Sequence, residues 1–142
     1  MNNLSLQWQT EMEPGSRNLG KPILHISIND TPLMTMVHDF ESTSGYSHFN
    51  DTYLPAEDVQ YYSVDGWRKS TEPGKSHIIL LGCTCGDVDC SHFYVETFCQ
   101  DGWIHWRFKD SSTRDFSGMP TLWFEQYAYR RQVETALEHL NR

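Results

Sequence analysis

Two runs of eight residues, HFYVETFC and WIHWRFKD, stand on either side of Gln100-Asp101-Gly102. Asp-Gly tolerates positive φ at both central positions of a tight turn, the conformation that joins two antiparallel strands without splaying them. The alternation agrees on both sides. Phe93, Val95, Thr97 and Cys99 share one face of the first run, and Ile104, Trp106 and Phe108 share one face of the second. His92, Tyr94 and Glu96, with His105, Arg107 and Lys109, occupy the opposite faces. The spacing predicts a hairpin with one buried and one polar side, because a strand turns alternate residues to opposite faces. It sets Glu96 across from Arg107, an exposed pair that contributes about 0–1 kcal/mol.

Other segments extend the pattern. SHIILLG (76–82) is a continuous apolar run bounded by Pro73-Gly74 and Gly82, as in a buried strand. PILHISIND and TPLMTMVHDF, around Asn29-Asp30-Thr31, predict a further antiparallel hairpin. Residues 11–22 and 41–58 are loop-like, with Pro55 placed to open a short helix over Ala56-Glu57-Asp58. FEQYAYRRQVETALEHLNR, at the C-terminus, predicts a helix. Its Tyr129, Val133, Ala136, Leu137 and Leu140 form one stripe that should pack on the sheet. The expected fold is α+β: a single domain over 1–142, with an antiparallel sheet built from hairpins and packed by a C-terminal helix. Hydrophobic residues make up 38% of the 142, and aromatics 13%, enough for one core without disulfide staples. There is no internal repeat.

The formal net charge is −8, and it is uneven: residues 1–62 hold two basic residues against eight acids. Such a surface repels phosphate backbones and anionic lipid, so direct nucleic-acid or membrane binding is not expected, whereas a basic protein partner is favoured. No apolar run is long enough to span a bilayer. The opening MNNLSLQWQTEMEPG has neither a basic n-region nor an apolar h-region. A cytoplasmic location with reduced cysteines is the resulting expectation.

GCTCGDVDCSH (82–92) gathers Cys83, Cys85, Cys90 and His92, with three of the chain's four cysteines. Together with DGWIHWRFKD, FEQYAYRRQV and the upstream INDTPLM, it resembles a family of small uncharacterised bacterial proteins. That family carries a Gly-Cys-x-Cys-Gly-x-x-Gly-Cys signature, a hairpin with a Trp, and an aromatic-acidic approach to a C-terminal helix. The likeness runs from about Ile28 to the end. It departs at Asp89, where the family usually has Gly, and at Ser91-His92, where it often has Trp-Pro. The resemblance implies a compact α+β domain and no particular activity.

From the residues themselves, Cys83, Cys85, Cys90 and His92 offer zinc the right ligand count, but C-x-C-x4-C-x-H is not common zinc-finger spacing. Asp87 and Asp89 would raise a neighbouring thiol pKa, against a redox centre. Gly82 and Gly86 permit a sharp turn in which the cysteines act as small hydrophobes, the preferred reading. No cofactor is expected, with zinc left open. No catalytic motif appears elsewhere.

A small acidic domain of this kind fits a bacterial immunity protein, a stoichiometric inhibitor of a cognate toxin domain such as a basic nuclease, rather than an enzyme. Glu57, Asp58, Asp87 and Asp89 are the candidate partner-binding acids. The alternative is a zinc-binding or thiol-dependent enzyme centred on Cys83, Cys85 and Cys90.

Overall fold

In the computed structural model, which describes residues 1–10, 21–46, 51–83, 92–110 and 115–141, Asp101 and Gly102 take φ of 55° and 82°. The predicted two-residue turn therefore forms. In chain order the strands are β1 (Leu4–Thr10), β2 (Pro22–Ile28), β3 (Thr31–Pro32), β4 (Asp51–Tyr53), β5 (Gly74–Cys83), β6 (His92–Gln100), β7 (Trp103–Asp110) and β8 (Leu122–Glu125). The helices are α1 (Leu33–Thr43), α2 (Ala56–Asp58), α3 (Val64–Ser70) and α4 (Gln126–Glu138). A π-helical turn, Val59–Ser63, joins α2 to α3.

The strands make two antiparallel sheets, one ordered β1-β2-β3 and one ordered β4-β5-β6-β7-β8. The fold is α+β, with a C-terminal helix packed on the sheets. The sheets touch at both outer strands of the larger one. Asn2 N donates to Trp123 O at 2.7 Å beside β8, and Leu24 N donates to Leu54 O at 3.1 Å beside β4.

Several elements depart from expectation. The Asn29-Asp30 turn forms, with φ of 53° and 66°, but the second strand ends at Pro32 and TPLMTMVHDF becomes mostly α1. Pro32 has no N–H to give a ladder and suits the approach to a helix. Leu33 and Val37 are then buried, with Met36 and Phe40 half-buried beside them, at helical spacing. Residues 41–58 contain the end of α1 and strand β4, and Pro22 starts β2 rather than ending a loop; the rest of that loop, 11–20, lies outside the described residues. Pro55 does precede a helix, though the helical run continues to Ser70. Phe124 and Glu125 close strand β8 instead of opening the last helix. The Glu125 carboxylate accepts from the Tyr127 and Ala128 amides and so caps α4.

One hydrophobic cluster joins both sheets and the helices. Its largest members, Trp67 from α3, Trp106 from β7, Tyr129 from α4, and Phe93, Phe108 and Phe124, are almost wholly buried. Inside it runs a directed chain of hydrogen bonds. Ser70 Oγ donates its one proton to Trp67 O at 2.6 Å. The 2.7 Å contact between Ser70 Oγ and Tyr129 Oη must therefore use the tyrosine proton. Tyr129 Oη in turn accepts from Trp106 Nε1 at 3.1 Å. Burial pushes the Tyr129 phenol well above its ordinary range, although the bond it accepts from Trp106 pulls the other way.

Two further contacts set the helices on the sheet. A Cβ at Gly66 would lie 2.2 Å from the His77 carbonyl oxygen, so glycine lets α3 rest directly on the β5 backbone. Where the β5–β6 register slips between Ile79 and Leu81, Ser63 Oγ donates to Ile79 O at 2.9 Å. Of the predicted stripe, Tyr129, Val133, Ala136 and Leu137 are buried on α4, and Leu140 follows in a 3-10 turn, His139–Asn141, where it is half-buried. Trp8 Nε1 reaches from β1 to Ala136 O at 2.9 Å and holds the helix against the smaller sheet.

Tyr129→Phe is expected to lose about 1–3 kcal/mol of stability, because the buried Trp106 N–H is left without an acceptor. The folded pKa of Tyr129 lies above its unfolded value, so its neutral form stabilises the fold fully below about pH 10. That contribution falls above this pH by up to about 1.4 kcal/mol per unit. Denaturant melts of both proteins from pH 8 to 11 should show a shallower alkaline decline in the variant, and parallel declines would refute the assignment. Leu137→Ala should cost about 2–5 kcal/mol. Gln132, exposed and holding only a 3.3 Å bond from Leu6 N, should tolerate alanine within about 1 kcal/mol. Equal losses in chemical denaturation would contradict the packing described.

Candidate binding face

Because side chains alternate along a strand, burying one side of the large sheet turns the other side outward. Among the described residues no helix crosses that outer side. The registers arrange it in rows. Lys75, Phe98, His105 and Trp123 form one row across β5 to β8, and His77, Glu96 and Arg107 form the next across β5 to β7. Ile79, Tyr94 and Lys109 form a third. An open groove of about 970 Å3 lies on this side, with His77, Tyr94, Glu96, Phe98, His105 and Arg107 among its lining.

Aromatic rings run along both sides of the Glu96–Arg107 row. His105 and Trp123 have ring centroids 3.5 Å apart, and Phe98 meets His105 edge-on at 5.9 Å. On the other side of that row is Tyr94, whose ring lies 6.5 Å from His77 and 5.5 Å from His92. Trp123 is 44% and Trp103 39% exposed, an unusual allowance for the largest apolar side chain. Glu96 and Arg107 oppose each other in register as the sequence predicts, but no ion pair closes between them.

The residues singled out from sequence fall elsewhere. Cys83 ends β5, and His92 begins β6 opposite Gly82, so these two stand at the same end of neighbouring strands. Cys85, Cys90, Asp87 and Asp89 lie outside the described residues. Among the described residues no group of three metal-ligating side chains assembles. Glu57 is exposed and paired with Lys21 Nζ at 2.8 Å. Asp58, the second candidate acid on α2, is half-buried where that helix continues into the π-helical turn. The fourth cysteine, Cys99, is in the core, where burial pushes its thiol pKa up against the opposing pull of Arg130. It is a packing residue.

Sequence reading put Tyr94, Glu96, His105 and Arg107 on the outer, polar side of the hairpin without giving them a role, and it did not place His77, Lys75 and Trp123 beside them. Their alternation is present in the chain, yet only strand register places them beside the hairpin. No family model, curated protein or solved structure matches this chain. Among the described residues, no helix is long and apolar enough to cross a membrane.

If the 82–92 segment is a packing corner, purified protein should contain far less than one zinc per chain and keep its circular dichroism spectrum in chelator. Stoichiometric zinc with unfolding on chelation would make Cys83, Cys85, Cys90 and His92 ligands instead.

Proposed function

We propose that this chain is a protein-binding inhibitor of the immunity-protein type, which neutralises a cognate toxin domain by forming an equimolar complex. The open sheet face carries the reading. Trp, Tyr and Arg are the side chains that dominate binding energy at protein interfaces, and here they stand together on a rigid sheet. Strands that do not have to reorganise lose little conformational entropy on docking. At longer range, a net charge of −8 speeds the approach of a basic partner, such as a nuclease that must hold phosphates. Glu57 and Asp58 contribute to that field even though Glu57 is tied to Lys21.

The second reading is a zinc-binding or thiol-dependent enzyme built on Cys83, Cys85 and Cys90. It is favoured by the placement of Cys83 and His92 on adjacent strands, and the zinc measurement separates it from the first.

The inhibitor reading requires a toxin domain encoded beside this gene, and it is tested by calorimetric titration against that domain, with toxin activity followed in parallel. Activity should vanish at one-to-one stoichiometry. Trp123→Ala combined with Tyr94→Ala should weaken the complex at least about a hundredfold, as loss of two anchoring aromatics implies. Absence of binding by the wild-type chain would overturn the assignment.

A further inference from the structure

We infer that the open face docks an acidic protein segment, one that sets carboxylates against Lys75 and Arg107 and apolar side chains against the Phe98–His105–Trp123 track. The inference rests on the partner-binding reading and names the chemistry of the contact. Its starting point is a separation of charge. The whole chain is strongly acidic, yet among the described residues this face presents Lys75, Arg107 and Lys109 against Glu96 and, at its β8 margin, Glu125, whose carboxylate is taken up by the α4 amides. Asp115 lies within electrostatic reach of Lys109 and offsets it in part. Lys75 and Arg107 therefore carry the argument.

Both side chains are exposed, and neither makes a hydrogen bond or ion pair within the described residues. Arg107 has a planar fork of donors suited to a carboxylate held bidentately, and such charge-assisted bonds are about twice as strong as neutral ones. The neighbouring rings supply apolar area beside those donors. An acceptor-rich segment with one or two large apolar side chains complements both features at once.

Other occupants fit less well. A second copy docked through the same face would bring Lys75 and Arg107 toward their own counterparts, and like charges meeting at an interface are costly. Single-stranded nucleic acid could stack on the rings. Its backbone, however, needs several phosphates neutralised, and three cations within an acidic molecule supply too little. The long-range field and the contact face thus differ in sign. A partner that is basic overall can approach quickly and still present an acidic loop at the point of contact.

The test titrates the full chain, followed by tryptophan fluorescence, with three probes: a short peptide alternating Glu with Phe or Leu, its Lys-for-Glu counterpart, and an oligothymidylate. The acidic peptide should bind saturably, with affinity falling as salt rises. Lys75→Glu with Arg107→Glu should weaken it at least about tenfold. Lys69→Glu with Arg131→Glu, an equal charge change on α3 and α4, should not. Lys75→Ala with Arg107→Ala, checked by circular dichroism, gives the same comparison should reversal disturb the fold.

No saturable binding of the acidic peptide, tighter binding of either other probe, or an equal loss in the α3/α4 variant would overturn the inference. So would a wild-type dimer that the face variants dissolve. Toxin binding that survives Lys75→Glu with Arg107→Glu would overturn it while leaving the inhibitor reading standing. Acidic-peptide binding without toxin binding would do the reverse.

Discussion

Tyr129 stands where the last helix, the third helix and the large sheet meet, and a single phenol oxygen fixes their relative positions. It accepts from Trp106 on β7 and donates to Ser70 at the end of α3, which passes its own proton to the Trp67 carbonyl. Apolar packing alone tolerates sliding of a helix over a sheet, since one hydrophobic contact substitutes for another at modest cost. A buried chain of directed bonds does not, because a small displacement leaves a donor unsatisfied in a medium where that is expensive. Gly66 makes the constraint two-dimensional by allowing α3 to meet the β5 backbone directly. With α3 and α4 held on one side, the large sheet has a committed inner surface, and its alternation decides what remains outside.

The outside therefore inherits its chemistry from the inside. Every Phe93, Val95 or Trp106 turned inward forces a Tyr94, Glu96 or Arg107 outward, so the candidate face is the complement of the core pattern. What the core does not dictate is that so many of these outward positions hold rings. A solvated sheet face has no need of Trp123, Tyr94 and Phe98, and each exposes apolar area to water at a cost in free energy. That unneeded apolar surface is the physical basis for reading the face as an interface.

Elements governed by local rules were legible in the sequence. The Asp101-Gly102 turn needs two positive φ angles, and the strands beside it need period-two alternation; both requirements are visible in one short window. The α4 stripe is legible for the same reason. Elements decided by distant partners were not. Leu33-Met34-Thr35-Met36-Val37 suits either a strand or a helix, and Pro32 with burial beneath β2 settles it as α1. Leu4, Leu6 and Trp8 alternate, but only the Trp8 bond to Ala136, far along the chain, shows why β1 is held. Phe124 and Glu125 look continuous with the helix that follows, and pairing with Trp103 and Ile104 claims them for β8. The face divides along the same line: its hairpin half could be read, whereas His77 and Trp123 depend on register with strands well outside any local window.

The contacts at the two margins of the large sheet have a bearing on solubility. An unpaired outer strand offers its backbone as a template on which further copies can add, and a neighbouring sticky surface makes such growth more dangerous. Asn2 binds beside β8, and Leu24 binds the residue that follows β4. Each therefore occupies part of the margin where a foreign strand would begin to pair. The chain can in this way display a row of exposed rings while denying incoming chains the hydrogen bonds needed to start a fibre.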